Sequence, residues 1–330
     1  MSVLITGAGG FIGSHLVEEC VRQGRRVKAM CHYKSNNSSG WLEKIEKNVL
    51  NEVEIIWGDV RDPFFINGAT KGVKTIYHLA ALIGIPYSYQ AAKSYVDTNV
   101  NGTLNILEAA KSNEVENLII TSTSETYGSA KYVPIDEKHP MVGQSPYSAT
   151  KIAADQLAIS YHKSFDLPLS IIRPFNTYGP RQSNRAVIPT IINQIANGQI
   201  KINLGNISTT RDFNYVSDTC RAFTEIEKAQ IRGCILNACS NFEISIGDTV
   251  NLIGEIMGKK VEIVQVEERI RPENSEVDRL YGDNKLIKEK TKWKPLYEGT
   301  NGFRKGLEKT IEWFLANKEV YAEQYGRYIK

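Results

Sequence analysis

A glycine-rich turn directly after the first apolar run constrains this chain more than any other feature. The segment ITGAGGFIGSHLVEE, residues 5–19, places Gly7, Gly10 and Gly13 between a predicted strand and a predicted helix. Glycine permits a tight turn and lets backbone N–H groups approach a pyrophosphate, which then sits at the positive end of the following helix. Because the triplet stands in this strand–turn–helix context, it predicts a dinucleotide-binding site rather than a plain turn.

The rest of the chain repeats the same alternation of strand and helix. Strand, helix and strand in repetition indicate a parallel sheet that helices cover on both faces. A late apolar run, residues 234–238, is predicted to return to that sheet. The earlier short apolar runs, separated by amphipathic stretches, occur at residues 3–6, 27–31, 53–57, 75–81, 117–120 and 169–173.

These patterns predict an α/β protein with a Rossmann-type, doubly wound parallel sheet and a smaller C-terminal substrate-binding lobe. We expect the dinucleotide-binding domain to cover residues 1–175, with a late return around 212–240, and the second lobe to cover mainly residues 176–330. The segment NTYGPRQSNRAV, residues 176–187, is typical of a loop. The spacing of apolar residues predicts helices near residues 88–113, 147–163 and 302–317.

Composition narrows the classes of partner and compartment. Lysine and arginine exceed aspartate and glutamate by only three, 40 against 37, so we expect neither a nucleic-acid nor a membrane partner. The five cysteines are an odd number without a CxxC pair, which argues against a zinc site and a disulfide framework and fits the cytoplasm. We expect no signal peptide, and no apolar run approaches the roughly 18 residues of a membrane span.

Two polar segments carry candidate chemistry. In SPYSATKIAAD, residues 145–155, Ser145 and Pro146 predict a helix start that places Tyr147 and Lys151 on one face, one turn apart. A nearby ammonium group and an oxidised nicotinamide ring would together lower the pKa of the tyrosine and favour its phenolate. An isolated pair of this kind is more often a helix surface, but the glycine turn favours a catalytic pair. The hydroxyl and carboxylate residues of TSTSETYG, residues 121–128, form either a solvated turn or part of the same site.

Several segments in a fixed order support a family resemblance. The chain resembles the extended short-chain dehydrogenase/reductases, within the NAD-dependent epimerase/dehydratase family. Together with the glycine turn and the YxxxK pair, the segments that carry this resemblance are GDV at 58–60, HLAA at 78–81, TNVNGT at 98–103, RPFNTYGPR at 173–181 and RDFNYVSD at 211–218. Segments 32–45, 81–103 and 143–151 are similar to UDP- or GDP-N-acetylglucosamine 4,6-dehydratases that retain the configuration at C5.

The resemblance implies roles for five catalytic residues. Tyr147, supported by Lys151, would remove the proton from the sugar O4 while C4 gives its hydride to the nicotinamide. Thr123 would hydrogen-bond O4, and Glu125 would remove the C5 proton that the 4-ketone has acidified. Ser124, a water molecule or Glu125 itself would protonate the departing 6-hydroxyl. Hydride return to C6 would then give a 4-keto-6-deoxy sugar.

The resemblance also implies a tightly bound NAD(P)+ cofactor, with Asp59 and Val60 beside the adenine. The second predicted strand ends in MCHYKS, residues 30–35, and lacks the acidic residue that would bind the ribose hydroxyls of NAD. Lys34 favours the 2′-phosphate of NADP, but no arginine is present there to bind that phosphate. The sequence therefore leaves both NAD and NADP possible. The implied cofactor contacts are Gly7, Gly10, Phe11, Ile12, Gly13, His32, Asp59, Val60, Leu79, Ala80, Ala81, Asn99, Tyr147 and Lys151.

A UDP- or GDP-linked sugar is the implied substrate. Arginine suits a diphosphate because its planar guanidinium donates two hydrogen bonds at once. Arg181 and Arg279 are further candidate cations, although a single arginine is more often a solvated surface residue. His78 ends an apolar run, and we predict that it packs near the cofactor without acting as acid or base. The implied substrate contacts are Tyr87, Asn176, Arg185, Arg211 and Arg271.

The favoured hypothesis is that the chain is a configuration-retaining UDP-N-acetylglucosamine 4,6-dehydratase. The Thr-Ser-Glu triplet also occurs in UDP-glucuronate decarboxylases, so decarboxylation is one alternative and 4-epimerisation, which requires no base at C5, is another. A non-catalytic dinucleotide sensor is the alternative outside the enzymes, and the retained tyrosine and lysine argue against it. The resemblance further implies a homodimer that forms through the helices near 88–113 and 147–163.

Overall fold

The computed structural model describes residues 2–270 and 272–319. The strands are β1 (Ser2–Thr6), β2 (Arg26–His32), β3 (Val53–Gly58), β4 (Thr75–His78), β5 (Asn117–Thr121), β6 (Leu169–Pro174), β7 (Asn176–Tyr178), β8 (Lys201–Leu204), β9 (Thr210–Tyr215), β10 (Ile235–Ala238), β11 (Glu243–Ser245) and β12 (Glu262–Gln265). In these residues β10, β6, β5, β4, β1, β2 and β3 form, in that order, one sheet of seven strands, and every neighbouring pair is parallel.

Helices of very different length connect these strands. Short 3-10 helices cover Gly40–Lys44, Ser124–Tyr127, Glu267–Arg269 and Glu273–Ser275, and a π-helical segment covers Val96–Asn101. The α-helices are α1 (Phe11–Arg22), α2 (Lys47–Leu50), α3 (Pro63–Ala69), α4 (Ile85–Gln90), α5 (Ala92–Tyr95), α6 (Gly102–Ser112), α7 (Pro146–Phe165), α8 (Val187–Ala196), α9 (Val216–Lys228), α10 (Ile246–Ile256), α11 (Lys285–Lys290) and α12 (Gly299–Ala316).

Both faces of the large sheet are buried, as the continuous apolar runs predict. Val3 and Ile5 pack into one core cluster together with residues of α1 and α9, whereas Leu4 packs into a second cluster with residues of α3, α6 and α7. Successive strand residues point to opposite faces, so each apolar run must serve two cores. The predicted parallel sheet is confirmed, and the run at 234–238 forms its edge strand beside β6.

The topology opens a crevice beyond the carboxyl ends of the two central strands. The strands β1 and β4 are neighbours, and the chain proceeds from β1 through β2 to β3 on one side and from β4 through β5 and β6 to β10 on the other. In doubly wound sheets, ligands bind beyond the carboxyl ends of the strands where the strand order reverses. The glycine turn after β1 therefore lies at this crevice.

Two smaller sheets lie outside the seven-stranded sheet. One has the strand order β11, β9, β7, and the other pairs β12 with β8. The segment 176–187 is not a pure loop as predicted, because Asn176–Tyr178 pairs in parallel with β9. A three-residue strand of polar and aromatic residues leaves no apolar run to signal it. Across residues 2–270 and 272–319, no helix has both the length and the apolar character that crossing a membrane requires.

The predicted helix near 88–113 is interrupted. Helix α4 ends at Gln90, Ala91 takes a non-helical conformation at φ −124°, and a π-helical segment at 96–101 precedes α6. The wider π turn admits one more residue per turn, a feature that is frequent at functional sites. It carries the side chain of Asn99 inward, where its Oδ1 accepts from the backbone N–H of Leu82 at 2.8 Å and its Nδ2 donates to the Leu82 carbonyl at 3.0 Å.

Candidate active site

The glycine turn after β1 is packed too tightly for side chains. The N–H of Gly10 donates to the carbonyl of Gly7 at 3.0 Å, and Gly7 has a φ of +70°. A Cβ atom on Gly13 would lie 2.2 Å from the Gly7 carbonyl oxygen, and one on Gly7 would lie 2.9 Å from the Ala80 nitrogen. Helix α1 begins directly after Gly10 without a side-chain cap. Its first N–H groups therefore point to the crevice, a geometry that fits a pyrophosphate.

The loop after β2 closes over this turn. The N–H of Trp41 donates to the Gly9 carbonyl at 2.9 Å, and a Cβ on Gly9 would lie 2.4 Å from the Ser39 carbonyl oxygen. Only a residue without a side chain allows this approach of two backbone segments. The polar loop is thereby held beside the predicted dinucleotide site.

Gly13→Ala should prevent cofactor retention, because the added methyl group meets the backbone of the turn at 2.2 Å. Overpacking of this kind costs about 1–3 kcal/mol, so we expect an affinity for NAD+ at least about tenfold lower. The measurement is the amount of dinucleotide that the purified protein carries and its titration with NAD+. Gly68→Ala is the control, since a Cβ on Gly68 has no neighbour within 4 Å. Equal cofactor content in the two variants would contradict the assignment.

The ends of β2 and β3 form a charged cluster beyond the glycine turn. The guanidinium of Arg61 donates to both carboxylate oxygens of Asp59, with Nε at 3.0 Å from each, and lowers the pKa of that carboxyl. The exposed His32 places Nδ1 at 3.7 Å from Asp59 Oδ2. Arg61 was not predicted, although its position directly after the GDV segment is a usable signal. The cluster lies at the position predicted for the adenosine half of a dinucleotide.

A buried histidine supports the wall of the site opposite the glycine turn. His78 is 2 % exposed, and its ring nitrogens lie 2.8 Å from Thr6 Oγ1 and 3.2 Å from Thr103 Oγ1. Burial lowers the pKa of His78 to about 3, so the imidazole is neutral. The packing role predicted for it is confirmed. Thr6 Oγ1 also accepts from the N–H groups of Leu79 and Ala80, at 3.1 Å each. These bonds hold residues 79–81, which are predicted cofactor contacts, against Gly7.

Asn99 shapes the next loop. Its Nδ2 donates to Thr150 Oγ1 at 3.1 Å in addition to the Leu82 carbonyl, so both amide hydrogens bind within the protein. The side chain is 1 % exposed. The Asn99 side chain thus connects the loop after β4 to helix α7 and positions Leu82 by hydrogen bonds to its backbone N–H and carbonyl groups.

The catalytic candidates meet at the start of α7. Ser145 caps this helix through a reciprocal capping box with Ser148, as the sequence predicts, and Pro146 occupies its first turn. The cap places Tyr147 in the first turn of α7, and Thr123, the N-terminal cap of the turn after β5, counteracts the rise in the pKa of its phenol. Lys151 is 4 % exposed and its Nζ donates to the Thr121 carbonyl at 2.6 Å.

The Thr-Ser-Glu triplet begins a short 3-10 helix. Thr123 is its N-terminal cap, and its Oγ1 accepts from the backbone N–H of Glu125 at 3.2 Å. This turn places the half-buried Glu125 close enough to Tyr147 for the two groups to interact electrostatically. Ser124 is buried, at 3 % exposure. The polar residues of 121–128 are therefore not a solvated turn.

The electrostatics of the protein alone oppose a phenolate. Burial raises the pKa of Tyr147, the Thr123 hydrogen bond opposes that rise, and the Glu125 carboxylate adds to it. Burial lowers the pKa of Lys151, and Asp155 one turn further along α7 opposes that change. Within the protein, burial outweighs the groups that lower the pKa of Tyr147; that an ammonium group and an oxidised nicotinamide together lower it stays a prediction.

A buried ion pair stands behind the catalytic residues. Arg173 Nη2 lies 2.8 Å from Asp155 Oδ2, both side chains are at most 1 % exposed, and Ser122 donates to the same oxygen at 2.8 Å. Asp155→Asn should lower the free energy of unfolding by about 3–5 kcal/mol, because it leaves the guanidinium buried without a counter-charge.

The half-exposed pair of Lys74 and Glu116 is the matched control for the buried pair. Glu116→Gln should change the free energy of unfolding by less than about 1 kcal/mol, because solvent screens the exposed charges. Urea unfolding measures both variants. Equal losses in Asp155→Asn and Glu116→Gln would show that the buried pair has no special part in stability.

Aromatic residues and one arginine line the side of the site next to Tyr147. The ring of Tyr95 meets that of Tyr147 edge to face at 6.2 Å, and Tyr87 lies 6.2 Å from Tyr95. A Cβ on Gly84 would lie 3.5 Å from the Tyr95 hydroxyl and 3.9 Å from Arg185 Nη1. Arg185 and Tyr87, both predicted as substrate contacts, thus lie near Tyr95, which contacts Tyr147. Tyr95 was not predicted, because nothing local distinguishes it from a core aromatic.

The remaining predicted substrate residues have different surroundings. Asn176 Oδ1 is buried without a hydrogen-bond partner among the described residues, which suits an atom that meets a ligand. Arg211 is 7 % exposed and donates to the Thr210 carbonyl at 2.8 Å and to Glu276 at 3.3 Å. Arg271 lies outside the described residues.

Two other arginines are engaged in ion pairs instead. Arg181 pairs with Glu18 of α1 at 2.7 Å, and Arg279 pairs with Glu243. A carboxylate of the protein neutralises each guanidinium, and we assign neither of these two candidates to the diphosphate.

Comparison with known proteins identifies the family to which this site belongs. Residues 4–306 match the model of the GDP-mannose 4,6 dehydratase family. The chain belongs to this family. A protein of low-salt glycan biosynthesis, Agl12 of Haloferax volcanii, is 31 % identical over 97 % of the chain and 100 % of its own length. A UDP-N-acetyl-alpha-D-glucosaminuronate decarboxylase of Bacillus cytotoxicus is 30 % identical over 94 % and 97 %.

Solved structures of family members agree over nearly the whole chain. A UDP-N-acetylglucosamine 4-epimerase of Methanobrevibacter ruminantium, 27 % identical, superposes with a TM-score of 0.85 over 96 % of this chain and 98 % of its own. The dTDP-glucose 4,6-dehydratase of Bacillus anthracis, solved with NAD, is 27 % identical with a TM-score of 0.84 over 97 % and 98 %. The predicted family and Rossmann-type fold are thereby confirmed. These relatives include dehydratases, epimerases and decarboxylases of nucleotide sugars.

Proposed function

We propose that this protein is a nucleotide-sugar 4,6-dehydratase that converts UDP-N-acetylglucosamine to its 4-keto-6-deoxy derivative with retention at C5. The observation that carries the proposal is the position of Glu125, which is half-buried in the turn that Thr123 caps and whose backbone N–H bonds Thr123 Oγ1 at 3.2 Å. A 4-epimerase needs the tyrosine but no second base. A 4,6-dehydratase needs a group for the C5 proton beside the tyrosine that deprotonates O4.

The residues at the glycine turn fit an NAD(P)+ cofactor. The close approach of Gly7, Gly10 and Gly13 leaves the uncapped start of α1 facing the crevice, and the tightly packed wall at Ala80 flanks it. When bound, the nicotinamide would accept a hydride from C4 and later return it to C6. Its positive charge also favours the phenolate of Tyr147, against the rise in pKa that burial causes.

Tyr147 and Thr123 handle the first proton. Thr123 orients O4, and Tyr147 removes the O4 proton as a general base. The Lys151 ammonium group, held by the Thr121 carbonyl at 2.6 Å, adds positive charge to this region. Oxidation at C4 produces a ketone, which acidifies the neighbouring C5–H.

Glu125 then takes the C5 proton, and the 6-hydroxyl leaves as water. The newly protonated Glu125 supplies the proton for that departure, directly or with Ser124 as a relay. Glu125 then takes a proton from solvent and delivers it to C5 on the face from which the first proton left, while C6 receives the hydride, which gives retention at C5. General acid–base help of this type contributes about 10²–10⁴-fold when the group reaches the substrate.

The second lobe would hold the nucleoside diphosphate. Asn176, with its unpartnered Oδ1, and Arg185, beside Tyr87, would contact the diphosphate. Arg211 and Arg271 complete the proposed set of substrate contacts. We also propose a homodimer through the helices α4–α6 and α7, whose exposed apolar side chains include Val96 at 41 % and Phe165 at 54 %.

Decarboxylation of a nucleotide-linked uronate is a second candidate that one observation favours. Arg185 Nη1 would approach a Cβ on Gly84 to 3.9 Å, beside Tyr95 and hence near the reacting end of the sugar. A cation at that place suits a C6 carboxylate. The decarboxylase of Bacillus cytotoxicus supports the same candidate through its 30 % identity.

Turnover in deuterium oxide separates the two candidates. With UDP-N-acetylglucosamine, the dehydratase should give a product that has lost one water and carries one solvent deuterium at C5. A protein that leaves this substrate unchanged but releases carbon dioxide from UDP-N-acetylglucosaminuronate or UDP-glucuronate is a decarboxylase, and the proposal then fails.

A further inference from the structure

We infer that Glu18 and Arg181 are positioning residues: their buried ion pair locks the loop 179–186 onto helix α1 and thereby presents Arg185 to the nucleotide sugar. The inference rests on the proposed function, because it assigns Arg185 to the substrate. Neither residue touches the predicted catalytic groups. Both act through the loop that lies between them and the sugar.

The pair is a bidentate contact between the two lobes. Arg181 Nη1 donates to Glu18 Oε2 at 2.7 Å, and Nη2 donates to Oε1 at 3.0 Å. The arginine side chain is 9 % exposed and the glutamate 18 %. Two parallel hydrogen bonds fix the orientation of the guanidinium as well as its distance. Nη1 also lies 3.3 Å from Ser14 Oγ, in the first turn of α1.

A second bond fastens the same loop to the same helix. His15 Nε2 lies 3.0 Å from the carbonyl oxygen of Pro180. Burial, reinforced by the charge of Arg181, lowers the pKa of His15 to about 4, so the ring is neutral. Because a carbonyl oxygen can only accept, the proton of this neutral ring resides on Nε2. Adjacent residues, Pro180 and Arg181, are therefore both held by α1.

The backbone at Arg181 shows that the arrangement is specific. Its φ is +68°, in the left-handed region that favours glycine, yet the chain has an arginine there. A non-glycine residue keeps such a conformation only where its surroundings determine it. The bidentate bond to Glu18 supplies that determination, since it fixes the far end of the same side chain.

The loop 179–186 is short and internally hydrogen-bonded, so the position of Arg181 determines that of Arg185. The N–H of Gln182 donates to the Gly179 carbonyl at 3.3 Å, and the N–H of Ala186 donates to the Ser183 carbonyl at 2.9 Å. These bonds make the segment between Arg181 and Arg185 a compact turn. A shift at Arg181 must therefore move Arg185, whereas the catalytic pair on α7 has no bond to this loop among the described residues.

Glu18→Gln and Arg181→Lys should raise the KM for the nucleotide sugar about tenfold while kcat changes by less than about twofold, since each removes the charged fork but leaves the catalytic residues in place. The bound NAD(P)+ content should stay that of the parent protein. Arg22→Gln is the matched control, because Arg22 pairs with Glu19 on the exposed side of the same helix. A merely structural role predicts a lower melting temperature in Glu18→Gln with an unchanged KM, and that result would overturn the inference.

Coupling to Arg185 is the sharper test. If Glu18 acts through Arg185, Glu18→Gln combined with Arg185→Gln should raise KM no further than Arg185→Gln alone, whereas independent residues give additive effects. Additive effects would overturn the inference. The reversed pair, Glu18→Arg with Arg181→Glu, should recover part of the lost affinity.

Calorimetric titration with UDP and GDP keeps this test independent of turnover. Weaker diphosphate binding in Glu18→Gln, in a protein that converts no N-acetylglucosamine nucleotide, would support the positioning role and reject the dehydratase. Unchanged diphosphate binding and unchanged KM in an active dehydratase would reject the positioning role alone. A parent protein that binds neither diphosphate would reject both.

Discussion

Tyr147→Phe should reduce turnover by about 10²–10⁴-fold while the protein keeps its bound dinucleotide. The change removes one oxygen atom from a ring that is 7 % exposed and packs edge to face against Tyr95 at 6.2 Å. The ring contact and the capping box at Ser145 stay intact, so the fold and α7 are preserved. The substitution removes the phenol oxygen, which in its deprotonated form would take the O4 proton.

The measurement is single-turnover absorbance of the reduced nicotinamide near 340 nm, together with product formation. Tyr132→Phe is the matched control: this tyrosine is 45 % exposed and its hydroxyl lies 2.7 Å from Asp136. It should retain parent turnover. A Tyr147→Phe protein that still reduces the nicotinamide at the parent rate would remove Tyr147 from its assigned role.

Glu125→Gln should block the second half of the reaction, with a loss in dehydration of about 10²–10⁴-fold. The amide keeps the shape of the side chain but accepts no proton, and its backbone N–H still bonds Thr123 Oγ1 at 3.2 Å. Oxidation at C4 depends on Tyr147, so it should continue. The variant should therefore accumulate the 4-keto sugar with reduced nicotinamide.

Exchange of the C5 hydrogen with deuterium oxide, followed by mass spectrometry, isolates this step. Removing the Glu125 carboxylate also removes a group that raises the pKa of Tyr147, so hydride transfer in the variant should need no higher pH than in the parent. Glu116→Gln, a surface change at the start of β5, serves as the control. Normal C5 exchange in Glu125→Gln would mean that another group is the base.

The parts of the fold and site that local sequence determines were predictable. The glycine turn and the Tyr147–Lys151 pair are defined by spacing within one turn, and the central strands are buried on both faces, which produces unbroken apolar runs. Each of these signals lies within a few residues. Their placement in one crevice follows from the parallel topology.

The parts that depend on distant residues were not predictable from one sequence. Arg181 meets Glu18 from a position 163 residues away, so no local pattern shows that this candidate cation pairs with α1. Tyr95 reaches Tyr147 only because the π-helical segment and the break at Ala91 interrupt the expected long helix. No local pattern separates a tyrosine beside a catalytic ring from one in a core. The burial of Tyr147, which raises its pKa in the protein alone, likewise depends on residues that are distant in the sequence.

The most direct test of the proposed 4,6-dehydratase is the mass of the product that the purified protein makes without added cofactor. UDP-N-acetylglucosamine, GDP-N-acetylglucosamine and UDP-glucuronate are supplied separately. We expect UDP-N-acetylglucosamine to lose one water, with the dinucleotide still bound and oxidised after many turnovers. Loss of carbon dioxide from UDP-glucuronate, or an unchanged mass with a new C4 isomer, would contradict the proposed dehydratase and leave Glu125 without its assigned role.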